Sequence, residues 1–353
     1  MNLLDRRLPI ASKLGLQVLV GFAAVAVVMP LLFSGSQLFT WTTAMAWVLF
    51  ATATSVLFGW TGLLSFGQAA FFGMGAYTMA LLHDAYPDLP GVTMLVAAAL
   101  VAGTVAALFA LFALRTSGAE FAILTLVLAQ VLWLLTYRIP ELRGEEGFAG
   151  LFQIKVLSNP LTSDLQLWYY TVAVVAVCVW LLYLLSRSTA GRAMRAVRDD
   201  PWRAAALGIR VRRVQVSAYA VSAAFSAIAG ALVAQGQGVV SPGLLTFAIS
   251  GEILVACLIG GTSRFVGPMI GAVVLIWTQT LMSNVFHESN IFVGLLLLVI
   301  VIVLPGGLVS LPGRLSGLLA RRGTGDRTPP GASAPPPDDA VEASVQHPVE
   351  VTR

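Results

Sequence analysis

Run after run of some twenty apolar residues fills this chain, and nothing else in it restricts the fold as strongly. A hydrocarbon core of about 30 Å is crossed by roughly 20 mainly apolar residues in a helix. Lipid offers the backbone no partners, so such runs cross as helices whose hydrogen bonds are internal. Candidate spans lie at 14–33, 42–58, 66–83, 91–114, 119–137, 167–185, 214–235, 248–262, 267–285 and 291–308. The expectation is an all-α polytopic membrane protein of about ten transmembrane spans. Composition agrees: 58% of residues are hydrophobic and 11% charged, against roughly 45–50% and 25% in soluble domains. The pair at 248–285 reads either as two spans or as a re-entrant pair.

Arg6, Arg7 and Lys13 precede the first run in the manner of a signal peptide. That run is longer than a signal's apolar region and lacks a small-residue cleavage site, so it reads as a retained span. Cytoplasmic loops collect Lys and Arg. With both termini cytoplasmic, the inside segments hold those three residues, Arg115, eight arginines from Arg187 to Arg213, Arg264, and four more from Arg314 to Arg327. The outside loops hold only Arg138, Arg143 and Lys155. The expected organisation is a cytoplasmic N-terminus at 1–13 and a membrane domain at 14–310. Within that domain lie an outside loop at 138–166 and a cytoplasmic loop at 186–213. A cytoplasmic tail at 311–353 follows, rich in Pro, Ala, Ser and Asp from Gly323 onward and expected to be disordered.

Two halves of five spans would have opposite orientation, the plan of an inverted repeat. GLLSF at 62–66 and GLLTF at 243–247 occupy corresponding joints, although a chain rich in Gly and Leu produces such echoes by chance. The first belongs to GLLSFGQAAFFGMGAY, whose Gly62, Gly67, Gly73 and Gly75 each cost a plain helix roughly 1 kcal/mol. Residues 59–67 read as a turn at the inner face, with Gly73 and Gly75 allowing close contact deeper in the membrane. GPMIG at 267–271 has the small-xxx-small spacing of close helix packing.

Charged and polar groups inside a bilayer are costly unless paired or wet, so the few present are informative. Gln68, Gln130 and Glu252 are substrate-path candidates, with Ser65, Tyr77, Thr125 and Gln279 weaker ones. Gln130 also reads as a bond to a neighbouring helix, and Glu252 as a cap near the outer surface. Glu120 reads as snorkelling to water beside Arg115. Cys178 and Cys257 sit in apolar runs, and His83, His287 and His347 are scattered; no metal or catalytic spacing arises. In the loop SRSTAGRAMRAVRDDPWRAAALGIRVRRV, Asp199 or Asp200 before Pro201 is a helix-start signal, and a short helix closes near Gly208. The loop suits docking to a soluble partner, or orientation against anionic lipid.

GLLSFGQAAFFGMGAYTMALL, RTSGAEFAILTLVLAQ, GRAMRAVRDDPWRAAALGI, EILVACLIGGTSRFVGPMIGA and the closing LPGGL together resemble the inner-membrane permease subunit of branched-chain amino-acid ABC transporters, the LivM type. Urea-carrying relatives share much of the pattern. The resemblance runs over residues 40 to 310 and implies an ABC importer permease architecture in a bacterial inner membrane. The implied partners are a second homologous permease subunit, two cytoplasmic ATPases and a periplasmic substrate-binding protein, and no nucleic acid. It also implies ATPase coupling through Gly191, Arg195, Arg198, Asp199, Asp200, Pro201, Ala204, Ala205, Leu207 and Gly208, with Arg192 and Ala196, and it marks Ser65, Phe66 and Gln68 as candidates for the inner end of the substrate path. This chain has no GxxxxGK[ST] phosphate loop. It is therefore expected to bind no cofactor itself, with ATP and magnesium on the partner ATPases, and not to be an enzyme. The implied cargo is a branched-chain or related amino acid; urea or a short amide is the alternative. An ion-coupled secondary transporter is the rival of a different class, but Asp is absent from the expected spans and Glu occurs only at 120 and 252. Two departures stand out: Glu120 occupies an expected aromatic position, and RGEEGFAGL at 143–151 carries an insertion of Phe148 and Ala149.

Overall fold

A computed structural model describes residues 13–33, 35–150, 163–262 and 264–283. Helices α1 (Lys13–Leu32), α2 (Ser36–Thr61), α3 (Gln68–Ala85), α4 (Gly91–Ala113) and α5 (Gly118–Arg138) come first. Then follow α6 (Asp164–Arg187), α7 (Thr189–Asp199), α8 (Pro201–Ala206), α9 (Val211–Gln237), α10 (Phe247–Gly260) and α11 (Gly267–Ser283). Every expected span from the first to the ninth coincides with a helix. The tenth, at 291–308, lies outside the described residues, as do residues 1–12 and the tail. Among the described residues, α2, α4, α5, α6 and α9 are long and apolar enough to cross a membrane, beside shorter apolar helices that include α10 and most of α11.

Helix α9 is the hub, packed on α2, α3 and α4. Lipid gives no hydrophobic drive for helices to associate, so their contacts rest on close packing and hydrogen bonds, and small residues line them. On α4 the buried residues include Ala98, Ala102, Ala106 and Ala110, one per turn, and a Cβ on Gly103 would stand 3.5 Å from Ala220 and Ala224 of α9. The α3–α9 crossing is tighter still. A Cβ on Gly75 would strike the Ala227 backbone, and one on Gly230 would strike the Phe72 carbonyl. The α10–α11 contact is built the same way, with Gly260 against Gly267 and Gly271 against the Ala256 carbonyl; GPMIG does bring two helices together. Phe72 stacks on Phe50 with ring centroids 4.6 Å apart.

Side-chain ties define the two ends of the bundle. At one end Arg198 on α7 donates to the Gly59 carbonyl (2.6 Å), and Arg212 on α9 donates to the Leu111 carbonyl (2.8 Å). Trp60 faces Phe265 there, with centroids 6.2 Å apart. At the other end strands β1 (Phe148–Ala149) and β2 (Val239–Val240) pair antiparallel. Arg143 bonds Asp84 (2.9 Å) and lies 4.6 Å over the Phe148 ring. The arginine-rich loop at 186–213 and the loop after α5 therefore occupy opposite ends.

Candidate functional site

Two features meet at the arginine-rich end: the α7–α8 pair and the break between α2 and α3. The α6–α7 corner forms because the Ser188 hydroxyl accepts from the Gly191 N–H (3.2 Å), and Gly191 lies so near the Leu185 carbonyl that a Cβ there would collide. Helix α7 presents Gly191, Met194 and Val197 inward. Arg195 donates to the Ser186 carbonyl at 2.8 Å, closing the same corner. Asp200 caps α8, its Oδ1 accepting from the Arg203 N–H (3.0 Å), with Pro201 at the first helical position. Asp–Pro thus does start a helix, and Gly208, at φ 84°, follows its end. Ala204 is buried, while Ala205 and Leu207 are exposed.

Arg198 joins the two features. Besides its bond to Gly59, its guanidinium contacts Asp199 Oδ1 at 3.0 and 3.1 Å. The Asp199 pair is solvent-exposed and contributes at most about 1 kcal/mol, whereas a charge-assisted bond to a carbonyl is worth roughly 1.5–3 kcal/mol. The mechanical tie is therefore to α2. Gly62 ends α2 at φ 71°, and a Cβ there would stand 3.0 Å from Arg198 Cγ.

Beyond Gly62 the chain leaves helical geometry until Gln68, where α3 begins. The Gln68 side chain ends between α2 and α9. Its Oε1 lies 3.2 Å from the Ser222 hydroxyl and 3.3 Å from that of Ser226, while Ser222 also donates to the Ala53 carbonyl (2.8 Å). Ala53 is ~12 Å back along α2 from its end at a helical rise of 1.5 Å per residue, so α3 begins well inside the bundle. Hydroxyls from three elements satisfy the N–H groups of its start. Thr125 on α5 accepts from Phe66 (3.2 Å), Ser65 from Gly67 (3.2 Å) and Ser250 on α10 from Ala69 (2.9 Å). The Ser250 bond sets the start of α10 beside that of α3.

The path candidates do not form one cluster. Ser65, Phe66 and Gln68 share the break; Ser65 and Gln68 are enclosed, while Phe66 is half-buried. One end of the Gln68 amide is buried without a partner, and turning the amide over only exchanges which end is satisfied. Tyr77 stands at the opposite end, its ring edge-on to Phe148, where it anchors the loop after α5. Gln130 is half-buried on α5, away from the break. Glu252 accepts from Gln279 on α11 (3.3 Å); it sits in the second turn of α10, and the N-cap is Thr246. Glu120 is exposed in the first turn of α5, and Arg115 instead lies over the Phe112 ring at 5.9 Å. Sequence reasoning missed Trp202, 88% exposed on α8; a tryptophan within a charged loop is the signal that was available.

The model of the family described as branched-chain amino acid transport system / permease component matches residues 36–304. The chain belongs to this permease family. The permease is 30% identical to the high-affinity branched-chain amino acid transport system permease protein LivM of Escherichia coli K12, covering 83% of this chain and 74% of LivM. Escherichia coli K12 LivH is 30% identical over 43% of this chain and 48% of its own length. The autoinducer 2 import system permease protein LsrC of Escherichia coli O9:H4 is 29% identical over 47% of this chain and 50% of its own. No solved structure matches. The permease is thus a multi-pass membrane component of a transport system and not itself an enzyme.

Proposed function

We propose that the permease is one of two homologous membrane subunits of an ATP-driven importer that carries a branched-chain amino acid across a bacterial inner membrane. Its partners in this reading are the second permease, two cytoplasmic ATPases and a periplasmic binding protein. The observation that carries the reading is the Arg198–Gly59 bond, which makes α7 continuous with the α2 end where the break begins. ATPase closure displaces α8, α7 follows as a rigid lever, and Arg198 passes the displacement to residues 59–67 and the start of α3. The arginine-rich end is cytoplasmic, both termini lie there, and the spans number ten.

The packing supports an inverted repeat of five plus five. Helix α9 packs on α3 and α4 as α2 packs on α10 and α11, and α3 packs on α4 as α10 does on α11. Exchanging α2 with α9, α3 with α10 and α4 with α11 preserves these neighbours. The echo of GLLSF and GLLTF then marks two equivalent breaks, each leading into a helix that starts inside the bundle.

Two outcomes test this. In proteoliposomes holding the assembled complex and its binding protein, leucine uptake is expected to require ATP inside the cytoplasmic face; uptake driven by a proton or sodium gradient without nucleotide overturns the reading. An unsatisfied buried amide end costs about 1–3 kcal/mol, so Gln68→Leu is expected to leave membrane abundance at or above the parent level. Uptake is expected to fall several-fold, because the free amide end serves the path as it opens. Normal uptake by this variant would return Gln68 to a packing role.

A further inference from the structure

Where α4 ends and α9 begins, the two spans leave an open groove of about 690 Å³ between them. Its mouth is basic, for Arg210, Arg212 and Arg213 line it and all are exposed. Arg212 is fixed there by its bond to the Leu111 carbonyl (2.8 Å), one of the last four carbonyls that a helix leaves without an internal partner. A guanidinium carries five N–H donors, so this bond leaves the Arg212 fork with donors to spare. The loop supplies little counter-charge. Between Arg187 and Glu252 the only acids are Asp199 and Asp200, and these pair with Arg198 (3.0 Å) and Arg203 (3.6 Å).

Below the arginines the groove turns apolar. Leu111 on α4 and Val216 and Ala220 on α9 line it, and Ala220 lies about 15 Å along the chain from Arg210 at a helical rise of 1.5 Å per residue. The groove closes where a Cβ on Gly103 would stand 3.5 Å from Ala220. Leu108 and Phe112, beside Leu111 on α4, are 53% and 61% exposed, so the floor continues into the face that this span turns to lipid. A soluble protein can reach the arginines, but not a floor sunk in hydrocarbon. A phospholipid satisfies both parts, with phosphate at the mouth and an acyl chain along the floor. Arginine forks match phosphate oxygens bidentately, and basic pockets between membrane helices take anionic head groups.

We propose that this groove seats one anionic phospholipid, its phosphate held by Arg210, Arg212 and Arg213 and an acyl chain lying along Leu111, Val216 and Ala220. The lipid ties the start of α9, and with it the preceding α8, to the end of α4. The arginine-rich loop thereby gains a fixed footing at the membrane surface. The inference rests on the chain being a multi-pass membrane permease and is independent of its cargo and of ATP.

The test compares the full-length permease, purified in mild detergent with the subunits it retains, with two variants. One carries Arg210→Gln and Arg213→Gln together; Arg212 stays because of its tie to α4. The other is Ser217→Trp, at an exposed groove position whose hydroxyl bonds the Val214 carbonyl of its own helix (2.8 Å), so the ring fills the groove and leaves the bundle intact. Phosphatidylglycerol is expected to raise the melting temperature of the parent by several degrees over phosphatidylcholine, and to survive detergent washing, as read by native mass spectrometry. Both variants are expected to melt with the parent in phosphatidylcholine, to show a much smaller shift, and to retain phosphatidylglycerol several-fold less. Undiminished retention by either variant overturns the seat, as does equal retention of phosphatidylcholine and phosphatidylglycerol by the parent, a measurement that needs no variant to fold. Loss of co-purifying ATPase from the double-arginine variant, with phosphatidylglycerol still bound, assigns the arginines to a protein contact and overturns it too.

Discussion

Trp202→Ala is expected to abolish most ATP-driven uptake while leaving the permease at its normal level in the membrane. Trp202 in the first turn of a six-residue helix and Leu207 just after its end, 88% and 77% exposed, sit on a mount that Asp200 and Pro201 hold in one conformation. Exposed tryptophans on a rigid mount are typical anchors of protein interfaces, and truncating such an anchor costs about 2 kcal/mol or more, close to a 30-fold loss of affinity. Side-chain removal takes nothing from the fold, because the ring touches solvent and not the bundle. Co-purification of the ATPases with a tagged permease is the direct measurement. Two other substitutions in the loop discriminate less well. Gly208→Arg forces a side chain onto a residue at φ 84°, and Ala204→Glu places a charge at a buried position, so either disturbs α8 whether or not anything docks there. Normal ATPase retention and uptake by Trp202→Ala would remove α8 as the docking element.

The helices were legible in the sequence because the bilayer imposes a length and an apolar composition on each. Legibility failed where the chain departs from that regularity. The break at 62–67 was read as a turn at one face, because its glycines and small polar residues signal a loss of helix but carry no depth. Depth is set by partners far along the chain, Ser222 and Ser226 for Gln68 and Ser250 for Ala69. A serine in an apolar helix looks the same whether it bonds its own backbone or reaches across. Glu252 shows the same limit: its position near a helix start suggested a cap, while its partner Gln279 lies 27 residues on.

Gly75→Leu is expected to reduce the permease in the membrane by more than tenfold, and Gly75→Ala to lower it clearly. The obstacle at Gly75 is the main chain of Ala227, which cannot rotate aside as a side chain does. Overpacking against side chains usually costs about 1–3 kcal/mol; displacing a helix backbone also pulls Gly230 away from Phe72 and loosens α9 from α3, placing the change among the exceptional losses above about 4 kcal/mol. Gly21 on α1 supplies the contrast, since a Cβ there meets nothing within 4 Å. Gly21→Ala should gain up to about 1 kcal/mol of helix propensity and leave abundance unchanged or higher. Quantitative blotting of membranes with thermal melting of the purified complex reads both variants. Equal abundance and equal melting for Gly75→Ala and Gly21→Ala would mean that the α3–α9 crossing is not the tight contact on which the bundle depends.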